Sequence, residues 1–362
     1  MKSIIFQIPL LLVLLCSNVT RADWNPIVLN AIKWTSNNQD IQSIRYTQNE
    51  GILRLPMKYY GGIDTNVDGI ISEKEITNFN EWVQQHIPED YCGPIALDYE
   101  KPWWKELRAE TISQERLNEL ITVYVKGLRI AKSTRPKAQW GYFGLPARRN
   151  TTNKWLERGL SLEPIISSSN ALYPSIYNCK PGIDITRSVE EHVSKILEEA
   201  AGQIPVYVFV SPRYCGQGDD KSMFIPDDVF LHHTNAAMRA SWTDADGIPH
   251  RIRGLVLWDG YEYTNAEEWG ELDLRHERYF KLLHALVNAW KKAMMGKLVI
   301  DAPMILATCE GGLPEPQNSG DDFNVSGTRM TIINQLNDDR VRDDRLGNER
   351  IPAGRIPTGR KD

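Results

Sequence analysis

In the stretch Gly93-Pro94-Ile95-Ala96-Leu97-Asp98-Tyr99-Glu100 an apolar run stops on two carboxylates. Ile95, Ala96 and Leu97 read as a short buried strand opened by Gly-Pro. Side chains alternate along a strand, so Asp98 and Glu100 point the same way at its carboxyl end. Such ends carry the chemistry in parallel α/β proteins. Two like charges held close do not both ionise easily. One carboxyl is therefore expected to keep its proton towards neutral pH while the other stays an anion, the division of labour that splitting a glycosidic bond requires. The plainer alternative is a pair of solvated loop acids that cap the next segment.

Four further stretches sit where strands are expected to end: Trp140-Gly141-Tyr142-Phe143-Gly144-Leu145-Pro146, Leu172-Tyr173-Pro174-Ser175-Ile176-Tyr177, Val208-Phe209-Val210-Ser211-Pro212-Arg213-Tyr214 and Val256-Leu257-Trp258-Asp259-Gly260-Tyr261. Each can bring an aromatic ring to the face that bears Asp98 and Glu100. Sugar rings present flat C–H faces that pack on such rings, so carboxylates ringed by Trp and Tyr suit a glycan better than a nucleotide or a peptide. For any single ring the alternative is a core position.

The elements that must hold these residues follow from periodicity. Short apolar runs at 27–32, 53–59, 95–97, 139–144, 171–175, 205–210 and 254–258 read as strands. Helical spacing at 114–131, 189–200, 227–240 and 278–294 falls between or after them. This βα rhythm predicts a parallel sheet, and seven or eight strands point to a (β/α) TIM-like barrel. A doubly wound open sheet is the alternative, but no Gly-rich phosphate loop opens any helix.

The chain has 362 residues, enough for one large core with appendages. Lys2, an apolar run from Ile4 to Leu15 and Thr20-Arg21-Ala22 read as a secretory signal over 1–22, too short for a membrane span. The barrel domain is expected over 23–312. The remaining Cys92, Cys179, Cys215 and Cys309 suggest two disulfides in an oxidising compartment. Of the three pairings, Cys179 with Cys215 and Cys92 with Cys309 is preferred, because the first two follow expected strands and would share one face. Residues 313–362 are polar and Gly/Pro-rich and read as a flexible tail. Asn150-Thr151-Thr152 and Asn324-Val325-Ser326 are glycosylation sequons. A net charge of −5 argues against nucleic acid as a partner and leaves a polysaccharide open. The oligomeric state is not legible.

Taken in order, these motifs resemble the hyaluronidases of glycoside hydrolase family 56. The resemblance covers roughly residues 25 to 295 and is carried by Asp98-Tyr99-Glu100-Lys101-Pro102-Trp103-Trp104, by Trp140 to Pro146, by the intact Leu172 to Tyr177 and by Val256-Leu257-Trp258. It implies a retaining, substrate-assisted mechanism, in which the sugar's own acetamido oxygen attacks the anomeric carbon. By that resemblance Glu100 is the acid and then base, Asp98 orients the acetamido group, and Tyr173 hydrogen-bonds the developing oxazolinium. Trp258 forms the apolar floor, with Tyr142, Phe143, Trp103, Trp104, Tyr177 and Asp259 as further substrate-binding candidates. No cofactor is needed for catalysis. The chain also departs from the pattern: Phe143 stands where the family has Tyr, Ala147 replaces an Asp and is followed by Arg148 and Arg149, and Ser211-Pro212-Arg213 replaces an Asp-bearing strand end. The added arginines could pair with the carboxylates of an acidic glycan or simply decorate loops.

Asp64 to Glu75 matches the twelve-place calcium loop of EF-hands, with Asp64, Asn66, Asp68, Ile70 (through its carbonyl) and Glu75 as ligands and Gly69 at the turn. A helix is expected after it, from Glu73 to Gln85, and none before it. A structural calcium stiffening the loop is one reading, and an Asp/Asn-rich turn is the other. For the chain as a whole the expectation is a secreted glycosidase on an N-acetylhexosamine-containing polysaccharide such as hyaluronan or chondroitin. The rivals are a catalytically silent glycan-binding barrel and a glycosidase for a different sugar.

Overall fold

A computed structural model of the chain describes residues 24–33, 42–215 and 223–294. Its strands are β1 (Ile27–Asn30), β2 (Leu53–Arg54), β3 (Met57–Lys58), β4 (Pro94–Leu97), β5 (Gln139–Tyr142), β6 (Tyr207–Val210), β7 (Trp242–Thr243), β8 (Pro249–His250) and β9 (Gly254–Leu257). The main helices are α1 (Gln42–Asn49), α2 (Glu73–His86), α3 (Trp104–Leu107), α4 (Gln114–Thr134), α5 (Asn153–Glu157), α6 (Glu163–Ser168), α7 (Thr186–Ala200), α8 (Asp227–Arg239) and α9 (Trp269–Met294). The signal-like segment, the polar tail, Cys309 and the Asn324 sequon lie outside the described residues.

Seven parallel staves close on themselves. One sheet runs β2-β1-β9-β6 and another β3-β4-β5. β2 and β3 are one stave interrupted at Leu55-Pro56, where Leu55 N still donates to Asn30 O and Pro56 O accepts from Ala96 N. The gap between β5 and β6 is filled by residues 171–175, through the parallel bridges Phe143 to Tyr173, Leu172 to Val206 and Ser175 to Phe209. Pro174 has no N–H to give the ladder, which keeps this stave from pairing continuously. The (β/α) barrel expected from the sequence is therefore present, with seven staves among the described residues.

Strand alternation divides the apolar side chains into two cores. Leu29, Leu55, Met57, Ala96, Phe143, Tyr173, Tyr207, Phe209 and Val256 fill the lumen. Their chain neighbours, among them Val28, Ile95, Leu97, Trp140, Tyr142, Val208 and Leu255, face the helical shell. Helix α4 shows why the shell forms: Leu117, Leu120, Ile121, Tyr124, Leu128 and Ala131 recur at helical spacing and are buried, and Ser113 caps the first turn by accepting from Arg116 N. Gly127 on this helix leaves room for the Tyr142 hydroxyl, which donates to Tyr124 O at 2.9 Å. Helix α9 begins earlier than its periodicity suggested. Asp273 in its first turns accepts from Gln42 N and Ser43 N, so the last helix caps the first.

Cys179 and Cys215 are bonded, joining the loop after 171–175 to the loop after β6. Cys92 is also disulfide-bonded. The sequon at Asn150 is closed: the residue is 3% exposed, its amide donates to Leu107 O and its side-chain oxygen accepts from Ala147 N. A glycan cannot be attached there without unmaking this turn.

Candidate active site

Ala96 points into the lumen, and strand alternation carried past the carboxyl end of β4 assigns Asp98 and Glu100 to the same side. Asp98 N donates to Lys58 O on one neighbour and Phe143 N to Leu97 O on the other, so the carboxylate-bearing end stays in the barrel wall. Tyr99, between the two acids, points the other way. It is buried against Tyr124 and Tyr142, donates its hydroxyl to Asp64, and accepts from Trp103 Nε1 at 2.8 Å. This outward bolt fixes which side Asp98 and Glu100 face. Both acids are partly exposed.

A continuous set of rings covers the lumen at this end. Phe143 lies 6.0 Å from Trp104, 6.2 Å from Tyr177 and 6.5 Å from Trp258, centroid to centroid. Tyr177 and Trp258 stack at 5.9 Å and 22°. Trp104, Tyr177, Trp258 and Tyr59 are partly exposed and rest on the lumen core. These half-open aromatic faces are suited to gripping the apolar side of a sugar.

Other candidates stand elsewhere. Tyr173 is fully buried and its hydroxyl donates to Gln139 O at 2.6 Å, at the opposite end of β5. Burial, with Tyr207 and Tyr91 nearby, holds its phenol well above the ordinary value. Its tip faces the barrel floor, away from the carboxylates. Tyr142 lies on the outer side of β5 with its hydroxyl on Tyr124 O. Trp103 packs outside the barrel, with the Arg116 guanidinium 5.2 Å from its ring. Tyr177 brings its ring to the mouth, with its hydroxyl buried.

Asp259 is 1% exposed and accepts from Arg213 Nε at 2.8 Å, with His276 Nε2 at the same distance. Burial alone would raise this carboxyl, but His276 and Arg213 outweigh it and hold it below the usual range. Asp259 and Arg213 therefore answer each other inside the wall beside Trp258, and the guanidinium also donates to Thr264 Oγ1 at 2.8 Å. Arg148 is exposed and within 3.4 Å of Ser188 Oγ on α7. Sequence reasoning missed Lys33, Tyr59 and Glu262 at the mouth. Lys33 and Tyr59 were findable, since they continue the inward alternation of Leu29–Ala31 and Leu55–Met57.

The calcium-like loop is closed by its own hydrogen bonds. Asp64 accepts from Asp68 N, Gly69 N and Tyr99, and Glu75 accepts from Asn66 N, Ser72 N and the Thr65 and Ser72 hydroxyls. Ser72 and Glu75 form a capping box at the start of α2. Among the described residues no group of three or more His, Cys, Asp or Glu side chains is placed to hold a metal ion.

No family model matches the chain. It is 20% identical over 265 residues to the hyaluronidase PH-20 of Cavia porcellus, covering 58% of this chain and 47% of that protein. It is 28% identical over 134 residues to a hyaluronidase of Polybia paulista, covering 34% of this chain and 44% of the relative. The chain is a distant, hyaluronidase-like relative of these proteins. It spans less than half the length of either. Among solved structures, that of bee venom hyaluronidase covers 72% of this chain and 99% of its own, with a TM-score of 0.49 and 14% identity. The same enzyme in complex with a hyaluronic acid tetramer gives 0.47 and 14%, covering 74% of this chain and 99% of its own.

Proposed function

We propose that the protein is a secreted glycoside hydrolase that cleaves an N-acetylhexosamine-containing polysaccharide, with hyaluronan and chondroitin as the first candidates. What supports this reading is that Asp98 and Glu100 follow lumen-facing Ala96 at the carboxyl end of β4, both partly exposed, in a barrel whose lumen core carries the half-open rings of Trp104, Tyr177 and Trp258. Likeness in sequence to hyaluronidases supports the substrate class. In this reading Glu100 protonates the leaving oxygen and then deprotonates water, as general acid and base. Asp98 holds the acetamido N–H so that the carbonyl oxygen can attack the anomeric carbon, and no protein nucleophile is required. Trp258 supplies the apolar surface beneath the sugar. Tyr177 adds a ring stacked beside Trp258, while the Tyr173 hydroxyl, which would hydrogen-bond the oxazolinium in this reading, is engaged by Gln139 O.

The deciding experiment is reducing-end release from hyaluronan and chondroitin by the purified protein, with Glu100→Gln beside it. Turnover is expected to fall by about two to four orders of magnitude in the variant, the usual scale of a general acid/base, with glycan affinity retained. A silent glycan-binding barrel is the second reading. It is favoured by Phe143 in place of a site hydroxyl and by the inward-turned Tyr173. It predicts binding without release by the unsubstituted protein. Cleavage confined to glycans lacking an acetamido group would instead keep the hydrolase and remove the substrate-assisted step.

The same proposal includes secretion, which rests on residues 1–22 and on the bonded cysteines. It also includes a calcium ion at Asp64–Glu75. The order of ligand types supports that ion, and the existing N–H and O–H donors on Asp64 and Glu75 weigh against it. Thermal unfolding with calcium and with chelator decides between them: a rise in midpoint with calcium supports the ion, and identical curves discard it.

A further inference from the structure

We propose that Lys33, Tyr60 and Glu262 form a second sugar-binding subsite on the rim of the mouth, which takes the hydroxyl or amide edge of a neutral sugar two units along the chain from the one cleaved. This rests on the glycosidase reading above. Lys33 follows Leu29 and Ala31 on the inward alternation of β1 and bridges to Gly260 beyond β9. Its Nζ lies 2.9 Å from Glu262 Oε1 and donates to the Tyr60 hydroxyl at 2.6 Å. It also stands over two rings, 4.7 Å from that of Tyr60 and 5.1 Å from that of Tyr59. Tyr59 rests on the lumen core and feels the charges of both Glu262 and Asp98. The trio therefore shares a rim with the carboxylate pair, two staves or about 10 Å round the mouth at the usual strand spacing.

The chemistry of the cluster points to its ligand. Burial would lower the Lys33 ammonium, but Glu262 and Tyr60 outweigh it and hold it above the ordinary value, so it is charged. Ammonium and carboxylate cancel. Only one oxygen of Glu262 is held by Lys33, while Oε2 is buried without a hydrogen-bond partner. A buried acceptor left unmatched is costly and is satisfied by a donor from outside. Glu262 folds back over Gly260 so closely that a Cβ there would collide with Oε2. Tyr60 is 42% exposed, its oxygen accepts from Lys33, and its own O–H is a donor. An acceptor, a donor and an open ring without net charge match the hydroxyls, N–H and C–H face of a neutral sugar. A sugar carboxylate would meet the negative charge of Glu262.

The test is steady-state kinetics on hyaluronan and on unsulfated chondroitin with the unsubstituted protein, Tyr60→Phe and Glu262→Gln, alongside thermal midpoints. Glu262→Gln is expected to raise KM about tenfold and Tyr60→Phe a few-fold, the scale of losing one hydrogen bond to ligand, while kcat changes little. Tyr60→Phe removes only one oxygen from an exposed ring, so it decides the matter even if Glu262→Gln unfolds. An unchanged KM in folded Tyr60→Phe overturns the subsite and leaves the glycosidase reading standing. A fall in kcat alone overturns it as well, by assigning the residues to the chemistry. If the unsubstituted protein cleaves neither polymer, the N-acetylhexosamine reading above is lost and the subsite with it.

Discussion

The two ends of the barrel lumen are built from the same residue types and do opposite things. At the floor, Tyr173 and Tyr207 stack at 5.7 Å, and their hydroxyls reach the backbone and side chain of the same residue, Gln139, at 2.6 and 2.8 Å. Nothing there is open to solvent. At the mouth, Tyr177, Trp258 and Trp104 lean on the same lumen core with one face open, next to carboxylates. The difference lies in where the polar tips end. A tyrosine whose hydroxyl is satisfied inside the wall contributes stability, and one that keeps an open face is available to a ligand.

The largest effect that would break this contrast is expected just beside the mouth, in the wall that supports it. Arg213→Met leaves Asp259 buried with its charge only partly answered by His276, and a loss of roughly 3–5 kcal/mol is expected, read as a lowered denaturation midpoint. Little change would mean that the pair does not hold the wall. Trp258→Ala should do the reverse, leaving the midpoint nearly in place while KM rises about ten- to a hundredfold, the scale of losing a large apolar platform. A variant that unfolds without altering KM would move Trp258 from the mouth to the core. Tyr173→Phe sharpens the floor: about 1 kcal/mol of stability should go with its hydrogen bond, and turnover per folded molecule should hold. A collapse in kcat with intact folding would show that its hydroxyl reaches substrate after all.

The smallest effect concerns the shell. His192 is buried on α7 against the Thr151 hydroxyl, and burial, aided by Arg148, pushes it down to about 3. Its unfolded counterpart protonates near 6.5, so the unfolded chain binds more protons between those limits. Stability is therefore full above about pH 6.5 and declines as pH falls, by about 0.7 kcal/mol between pH 7 and 6 from this residue alone. His192→Gln should flatten that part of the stability curve. An unaltered slope would mean that another group governs it.

Much of this was legible before any coordinates. All seven staves coincide with apolar runs bounded by Gly, Pro or polar residues, and the alternation placed Asp98 and Glu100 on one side. Alternation gives the side of a wall and not the direction along it, which is why Tyr173 could be read as facing the mouth when its tip faces the floor. Adjacent Trp103 and Trp104 look alike in sequence, yet the first is drawn outward by the Tyr99 hydroxyl and the second packs on Phe143. Asp259 looked available because its partners, Arg213 and His276, lie on other elements. The same long-range pairing hid Glu262 and its bond to Lys33.

The seam of the barrel has a consequence for how the molecule is made. β1 pairs with β9, Ile27 beside Gly254, and Trp24 Nε1 donates to Ile252 O across 228 residues. The first stave therefore waits beside an unfinished edge until the last has left the ribosome. Contacts so distant in sequence close slowly, and an unpaired strand edge is prone to wrong partners in the meantime. A yield that drops when translation stalls before residue 257 is the expected mark of such a seam.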